Sequence, residues 1–289
     1  MRKFRRQLSR AVVIGALFGL LTSTNGCETN PYTGRSQFLM TSVSEEMKMG
    51  AQAYDQVKSD PKMKPSADPH EIEPVKRVAA HIVEAAKRSK YADMAKQFQW
   101  EVTVIKDDKT MNAFALPGGK IAVYTGIFPV AKTEAGLAAV LGHEVTHALA
   151  RHGAERMSQG QAATIGVQVL GAAAGIGTGN AALGQATMAA LGAGAQVGVL
   201  LPFSRKHESE ADYIGILLAA DAGYDPQESV HLWERMEKMS GGGGPSEFLS
   251  THPGHDTRIE QLKKWMPEAM AIYQKKQPVP AAELPPVPR

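Results

Sequence analysis

The segment Leu141-Gly142-His143-Glu144-Val145-Thr146-His147 constrains this chain more than any other stretch. It places H-E-x-x-H inside an apolar run, Leu137 to Leu149, that has helical character. Four residues make slightly more than one helical turn, so His143 and His147 project from one face. Two imidazoles stacked in that way can hold one tetrahedral Zn²⁺, and Glu144 beside them can take a proton from a water held there. A pattern this short also arises by chance, so it needs a second element.

That element is Ser204-Arg205-Lys206-His207-Glu208-Ser209-Glu210-Ala211-Asp212. A catalytic zinc site takes three protein ligands and keeps one position open, and two histidines leave one ligand missing. Glu208 is the candidate for it. Asp212 lies four residues on, on the same helical face, where it can accept a hydrogen bond from a ligating histidine. Glu210 points about 160° away at roughly 100° per residue and reads as an exposed acid. Taken without H-E-x-x-H, Glu208 and Asp212 would be a solvated charge pair at a helix start.

H-E-x-x-H followed by E-x-x-x-D resembles the gluzincin peptidases, and the local wording is similar to the M48 family. Three further stretches carry the likeness: Asn112 to Gly119 (N-A-F-A-L-P-G-G), Leu201 to Arg205 (L-P-F-S-R), and Thr251-His252-Pro253 with Arg258. The resemblance covers roughly residues 30 to 267 and leans towards bacterial periplasmic lipoproteins of the family, without the tetratricopeptide repeats that some carry. It implies an α+β, mostly α, zincin-like fold with one small β-sheet. It also implies a zinc metalloendopeptidase with one Zn²⁺ per chain, held by His143, His147 and Glu208, with Glu144 as base. In the family a His-Pro element with an arginine six residues later lies near the zinc, which His252 and Arg258 match. Three roles stand open for His252: stabilising the oxyanion, occupying the open zinc position, or closing a loop.

Composition removes other classes. Of 32 basic side chains, five lie within the first 26 residues, leaving 27 against 29 acids, so no nucleic-acid partner is implied. The single cysteine excludes an intramolecular disulfide. Its position, Gly26-Cys27 after a basic stretch (Arg2 to Arg10) and the apolar Ala11 to Leu21, resembles a lipoprotein signal cut before a lipidated Cys27. The alternatives are an ordinary signal peptide or an uncleaved anchor. The expected organisation is a signal peptide over 1–26, a turn-rich tether over 27–43, a peptidase domain over 44–267 and a Pro-rich tail over 268–289, extended and disordered from Gln277 to Arg289. The expected location is the periplasmic side of an outer membrane, lipid-anchored, with unfolded or misassembled envelope proteins as substrates. Oligomeric state is not legible.

Periodicity places a helix from about Ser44, a Pro-rich loop over Asp60 to Pro74, a helix over Val75 to Ser89, and three strands near Trp100–Ile105, Met111–Ala115 and Ile121–Thr125. Further helices are expected over Thr133–Arg151 with Gly153 at its end, Glu208–Ala222 closed by Gly223, Pro226–Met239 and Thr257–Trp265. Asn112, Ala113, Phe114 and Ala115 resemble the zincin edge strand that pairs with extended substrate; the alternative is an interior strand with Asn112 closing a turn. Gly160 to Leu201 is rich in Ala and Gly and reads as a close-packed helical hairpin, with membrane insertion as the rival reading. Gly241 to Gly244 reads as a flexible loop, His152 as a helix-terminal cation and His207 as exposed. Two other functions stay open: a chaperone-like binding protein with a latent zinc site, and an integral membrane peptidase.

Overall fold

A computed structural model describes residues 27–178, 204–240, 247–252, 257–280 and 282–287. The chain opens with β1 (Cys27–Thr29), β2 (Ser36–Phe38), α1 (Val43–Ser59), α2 (Pro69–Ala86) and α3 (Ala92–Gln97). Three strands follow, β3 (Glu101–Ile105), β4 (Ala113–Leu116) and β5 (Lys120–Tyr124), then the short α4 (Phe128–Ala131). The remaining helices are α5 (Glu134–Leu149), α6 (His152–Thr178), α7 (Arg205–Asp221), α8 (Gln227–Ser240), α9 (Glu247–Thr251) and α10 (Arg258–Tyr273).

Helix α5 carries H-E-x-x-H and is buried along its whole length, as an apolar run without a polar face must be. The Thr133 side chain accepts from Gly136 N at its start. Helix α7 begins at the cap Ser204, which accepts from His207 N, and ends before Gly223 at φ 86°. The two helices meet backbone to backbone. A Cβ on Gly142 would lie 2.6 Å from Gly215 O, and one on Gly215 would lie 2.8 Å from His143 N. This contact brings Glu208 on α7 over the histidines of α5. Gly215→Ala should therefore cost about 1–3 kcal/mol of stability by overpacking, read from denaturant midpoints. Wild-type stability in that variant would contradict the contact.

The three-stranded sheet has the order β3-β5-β4, with β3 parallel and β4 antiparallel to β5. Ala113 faces Val123 and Leu116 faces Lys120 across the register. Strand β4 thus lies at an edge, and it packs on α5. Asn112 closes the turn into it, its Oδ1 accepting from Ala113 N.

Several expectations are corrected. The cap of α1 is Ser42, which forms a capping box with Glu45, rather than Ser44. Helix α2 begins at Pro69 behind the cap Asp68, so the Pro-rich loop is shorter than composition suggests. Helix α5 stops at Leu149, and the left-handed residue after it is Arg151 at φ 56°, not Gly153. Hydrogen bonds from the Arg151 guanidinium to Glu46, Thr41 O and Glu28 hold that conformation. Residues 27–43 are no tether, since β1 and β2 form an antiparallel hairpin. Helix α10 runs on to Tyr273 instead of ending at Trp265, so the expected boundary at 267/268 falls inside it. The Pro-rich segment beyond it is docked and not disordered, with Glu134 N donating to Ala282 O, Leu284 N donating to Lys132 O, and Leu284 buried. The signal-peptide segment 1–26, the second half of the expected hairpin at 179–203, and the Gly241 to Gly244 loop lie outside the described residues. Among the described residues no helix is long and apolar enough to cross a membrane.

The hairpin is fastened by charge. Arg35 sets two 2.7–2.8 Å hydrogen bonds on Glu155, which also accepts from Gln37 and His207. Burial works to raise the Glu155 carboxyl, and these donors outweigh it, holding the group well below the usual carboxylate range. The folded state therefore binds this proton less readily than the unfolded chain does. The resulting stability is present above an unfolded value of about 4.3 and is lost as pH falls through the folded one. Stability should decline on acidification below about pH 4, and Glu155→Gln should flatten that decline in denaturant titrations. An unchanged pH slope in the variant would refute the linkage.

Candidate metal centre

Four side chains converge from three elements. His143 and His147 come from α5, Glu208 from the first turn of α7, and His252 follows α9. All four are buried, and one ligand atom from each lies within 4.8 Å of the others. The individual separations are tighter. His143 Nε2 is 3.1 Å from His147 Nε2, 3.3 Å from His252 Nδ1 and 3.4 Å from Glu208 Oε2. Glu208 Oε1 is 3.4 Å from His147 Nε2 and 3.2 Å from His252 Nδ1. A tetrahedron with metal–ligand bonds of about 2.0–2.1 Å has edges of about 3.3–3.4 Å. The donor set therefore fits Zn²⁺ in size as well as in chemistry, because inward-facing lone pairs at this spacing repel unless a cation sits among them.

Electrostatics agree with that arrangement. Burial opposes protonation of His143, but hydrogen bonds with Asp212 and Glu208 outweigh it and raise the group to about 9. Burial takes His147 well below its ordinary value. Glu208 is held well below the carboxylate range, since its bonds to His143, His147 and His252 overcome its burial.

Glu144 stands beside the cluster, outside it. Its Oε1 is buried, makes no hydrogen bond among the described residues, and lies 3.5 Å from His252 Nε2. Burial pushes its carboxyl up, against the pull of His252 and His143. A carboxylate raised towards neutrality and aimed at a metal site suits proton transfer.

Behind the cluster, His143 Nδ1 donates to Asp212 Oδ1 at 2.9 Å. This leaves Nε2 with its lone pair facing inward. Arg258 secures both acids: Nη2 is 2.6 Å from Asp212 Oδ1 and 3.2 Å from Glu208 Oε2, and Nε is 2.6 Å from Asp212 Oδ2. The guanidinium lies 3.4 Å over the Trp233 ring. The expected residues Glu144, His143, His147, Glu208, Asp212, His252 and Arg258 thus come together, whereas Asn112 to Ala115 stand in and before the strand that flanks α5.

Other residues of this centre escape sequence reasoning. Trp233 and Phe248 wall the His143 ring at centroid distances of 6.4 and 6.3 Å. Glu210 and His207 are buried rather than exposed, and His152, read as a helix-terminal cation, is buried as well. His152 Nδ1 lies 3.0 Å from His147 Nδ1, because the turn at Arg151 brings it back under α5. H-E-x-x-H with a third histidine five residues on was the available signal, obscured by extending the helix through Arg151.

The model of peptidase family M48 matches residues 71–266. The chain belongs to that family. Its similarity to the mitochondrial metalloendopeptidase OMA1 of Schizosaccharomyces pombe is 38% identity, covering 88% of this chain and 72% of that protein. The human mitochondrial metalloendopeptidase OMA1 is 32% identical over 89% of this M48 chain and 49% of its own length. The β-barrel assembly-enhancing protease of Escherichia coli is 26% identical over 91% of this chain and 52% of its own. This M48 protein is a zinc metalloendopeptidase, and its clustered histidines and glutamate suit one metal ion. The expectation of a lipid-anchored protein on the periplasmic side of an outer membrane is corrected by the same comparison, since the relatives named mitochondrial are more similar than the E. coli protease. A basic stretch followed by an apolar one is a general export and targeting pattern, so residues 1–26 do not fix the compartment.

Proposed function

We propose that this M48 peptidase cleaves internal peptide bonds in extended or misfolded segments of other proteins. The placement of the envelope as the source of those substrates falls with the corrected location. His143, His147 and Glu208 hold the zinc in this reading, and Asp212 and Arg258 orient His143 and Glu208. When bound, zinc supplies a Lewis acid that acidifies water and polarises a carbonyl. Glu144 takes the water's proton and delivers it to the leaving amine. The observation that carries the reading is the four-atom cluster with the buried Glu144 carboxylate beside it. Edge strand β4, through Ala113, Phe114 and Ala115, offers main-chain pairing to any extended chain. Main-chain pairing reads shape and not side chains, which favours unfolded substrates. The name of the β-barrel assembly-enhancing relative supports substrates among proteins caught during assembly. Cleavage of one protein in its native and denatured forms tests this: the denatured form should be cut at many sites and the native form spared. Equal cleavage of both would sink it.

His252 favours one role over the others. Its Nδ1 stands in the cluster where a fourth ligand belongs, and its Nε2 faces Glu144. Phe248 stacks on the ring at 4.7 Å, which fixes it there. His252 in this reading holds the enzyme off until substrate displaces it. His252→Ala should raise basal proteolysis several-fold. A lowered rate would return the oxyanion role, and a wild-type rate would leave a purely structural one.

A further inference from the structure

The zinc ligand His147 has a second nitrogen that the reaction does not use, and a chain of polar contacts leads away from it. His147 Nδ1 meets His152 Nδ1 at 3.0 Å, and His152 Nε2 meets Glu210 Oε2 at 3.0 Å. His147 turns Nε2 towards the metal cluster, so its proton sits on Nδ1 and is donated to His152. His152 then accepts on Nδ1 and donates from Nε2 to Glu210, an alignment with one consistent set of tautomers. Glu210 is fixed in turn by the N-terminal hairpin. Arg35 donates to it from Nε at 2.9 Å and from Nη2 at 2.8 Å, and Thr33 Oγ1 donates at 2.5 Å. The same guanidinium grips Glu155 with Nη1 and Nη2. His152, Glu155 and Glu210 are all buried. The hairpin that supplies Arg35 lies before residues 71–266, which the family model matches.

We propose that the β1–β2 hairpin is a positioning element of the metal centre. Arg35 fixes Glu210, Glu210 fixes His152, and His152 holds His147 in the tautomer and ring orientation that presents Nε2 to zinc. His143 has a direct carboxylate behind it in Asp212, whereas His147 reaches its carboxylate through a second imidazole. Loss of Arg35 would leave Glu155 and Glu210 as buried carboxylates without the cation between them, and they would move apart. His152 would lose its fixed acceptor, and the zinc ligand would lose its orientation. Partners that orient metal ligands in this way typically contribute 10- to 100-fold in affinity.

The inference rests on the reading of His147 as a zinc ligand, so the test includes that residue. The full chain, stripped of metal, is titrated with zinc against a chromophoric chelator, and with Co²⁺ to record its visible absorption. His147→Ala should lose stoichiometric zinc. Arg35→Gln and His152→Leu should weaken zinc about 10- to 100-fold and alter the Co²⁺ spectrum, while His152→Asn, which keeps an acceptor for His147 Nδ1, should recover most of the affinity. Zinc affinity and Co²⁺ spectra unchanged in Arg35→Gln and His152→Leu, with His147→Ala defective, would overturn the positioning role alone. Wild-type zinc binding by His147→Ala would overturn the ligand assignment and the proposal with it. If Arg35→Gln does not fold, Thr33→Val removes one donor to Glu210 and leaves Arg35 in place. A weakened zinc affinity there supports the hairpin's part, and an unchanged one removes it.

Discussion

Glu144→Gln is expected to keep one zinc per chain and to lose about 10²- to 10⁴-fold in kcat/KM. At 1.36 kcal/mol per tenfold this is about 3–5 kcal/mol of transition-state stabilisation. The amide has nearly the shape of the carboxylate, and Glu144 stands outside the four-atom cluster, so no ligand is disturbed. What disappears is a group that can accept a proton and pass it to the leaving amine. Its buried oxygen, which makes no hydrogen bond among the described residues, suits that task, as does the upward push that burial gives its carboxyl. Metal content by mass spectrometry and hydrolysis of a denatured protein would be read on the same sample. Retained turnover would remove Glu144 from the mechanism. Loss of zinc together with turnover would make Glu144 part of the metal site instead.

The second large effect separates the ligand from the residues behind it. Glu208→Ala should abolish stoichiometric zinc, because among the described residues Glu208 supplies the one carboxylate of the four-residue cluster. Asp212→Asn should leave one zinc bound, about 10- to 100-fold more weakly, since it acts on His143 through a hydrogen bond. Asp212→Ala should also destabilise the fold by about 3–5 kcal/mol, because it strips the buried Arg258 of its nearest acid. Thermal unfolding of the metal-free variants would isolate that part. Loss of the metal in Glu210→Ala with retention in Glu208→Ala would show that α7 presents its other face to the zinc.

Sequence spacing made the ligand face legible for a simple reason. His143 to His147 and Glu208 to Asp212 are each four residues apart on one helix, where spacing fixes direction. The glycine turn behind β4 was readable on similar local grounds, whereas the edge position of β4 rested on the resemblance to the zincins, with an interior strand as the alternative. Spacing does not say what covers the opposite face. Glu210 does point away from Glu208, but that direction holds Arg35, a partner 175 residues distant, and not solvent. The same holds for His207, which meets Glu155 of α6. His152 was misplaced because a non-glycine residue, Arg151, takes the left-handed turn, and the contacts that stabilise it come from Glu46 and Glu28. Composition read the tail from Gln277 as extended and disordered. It could not reveal that Glu283 bridges to Thr133 at the start of α5.

The most direct test of the zinc site is a stoichiometric titration. Metal-stripped protein receives increasing zinc while hydrolysis of a denatured protein is followed. Activity should be absent at the start, rise linearly, and reach its plateau at one zinc per chain. Hydrolysis that persists in the metal-free protein, or that needs more than one zinc per chain, would contradict the single site built from His143, His147 and Glu208.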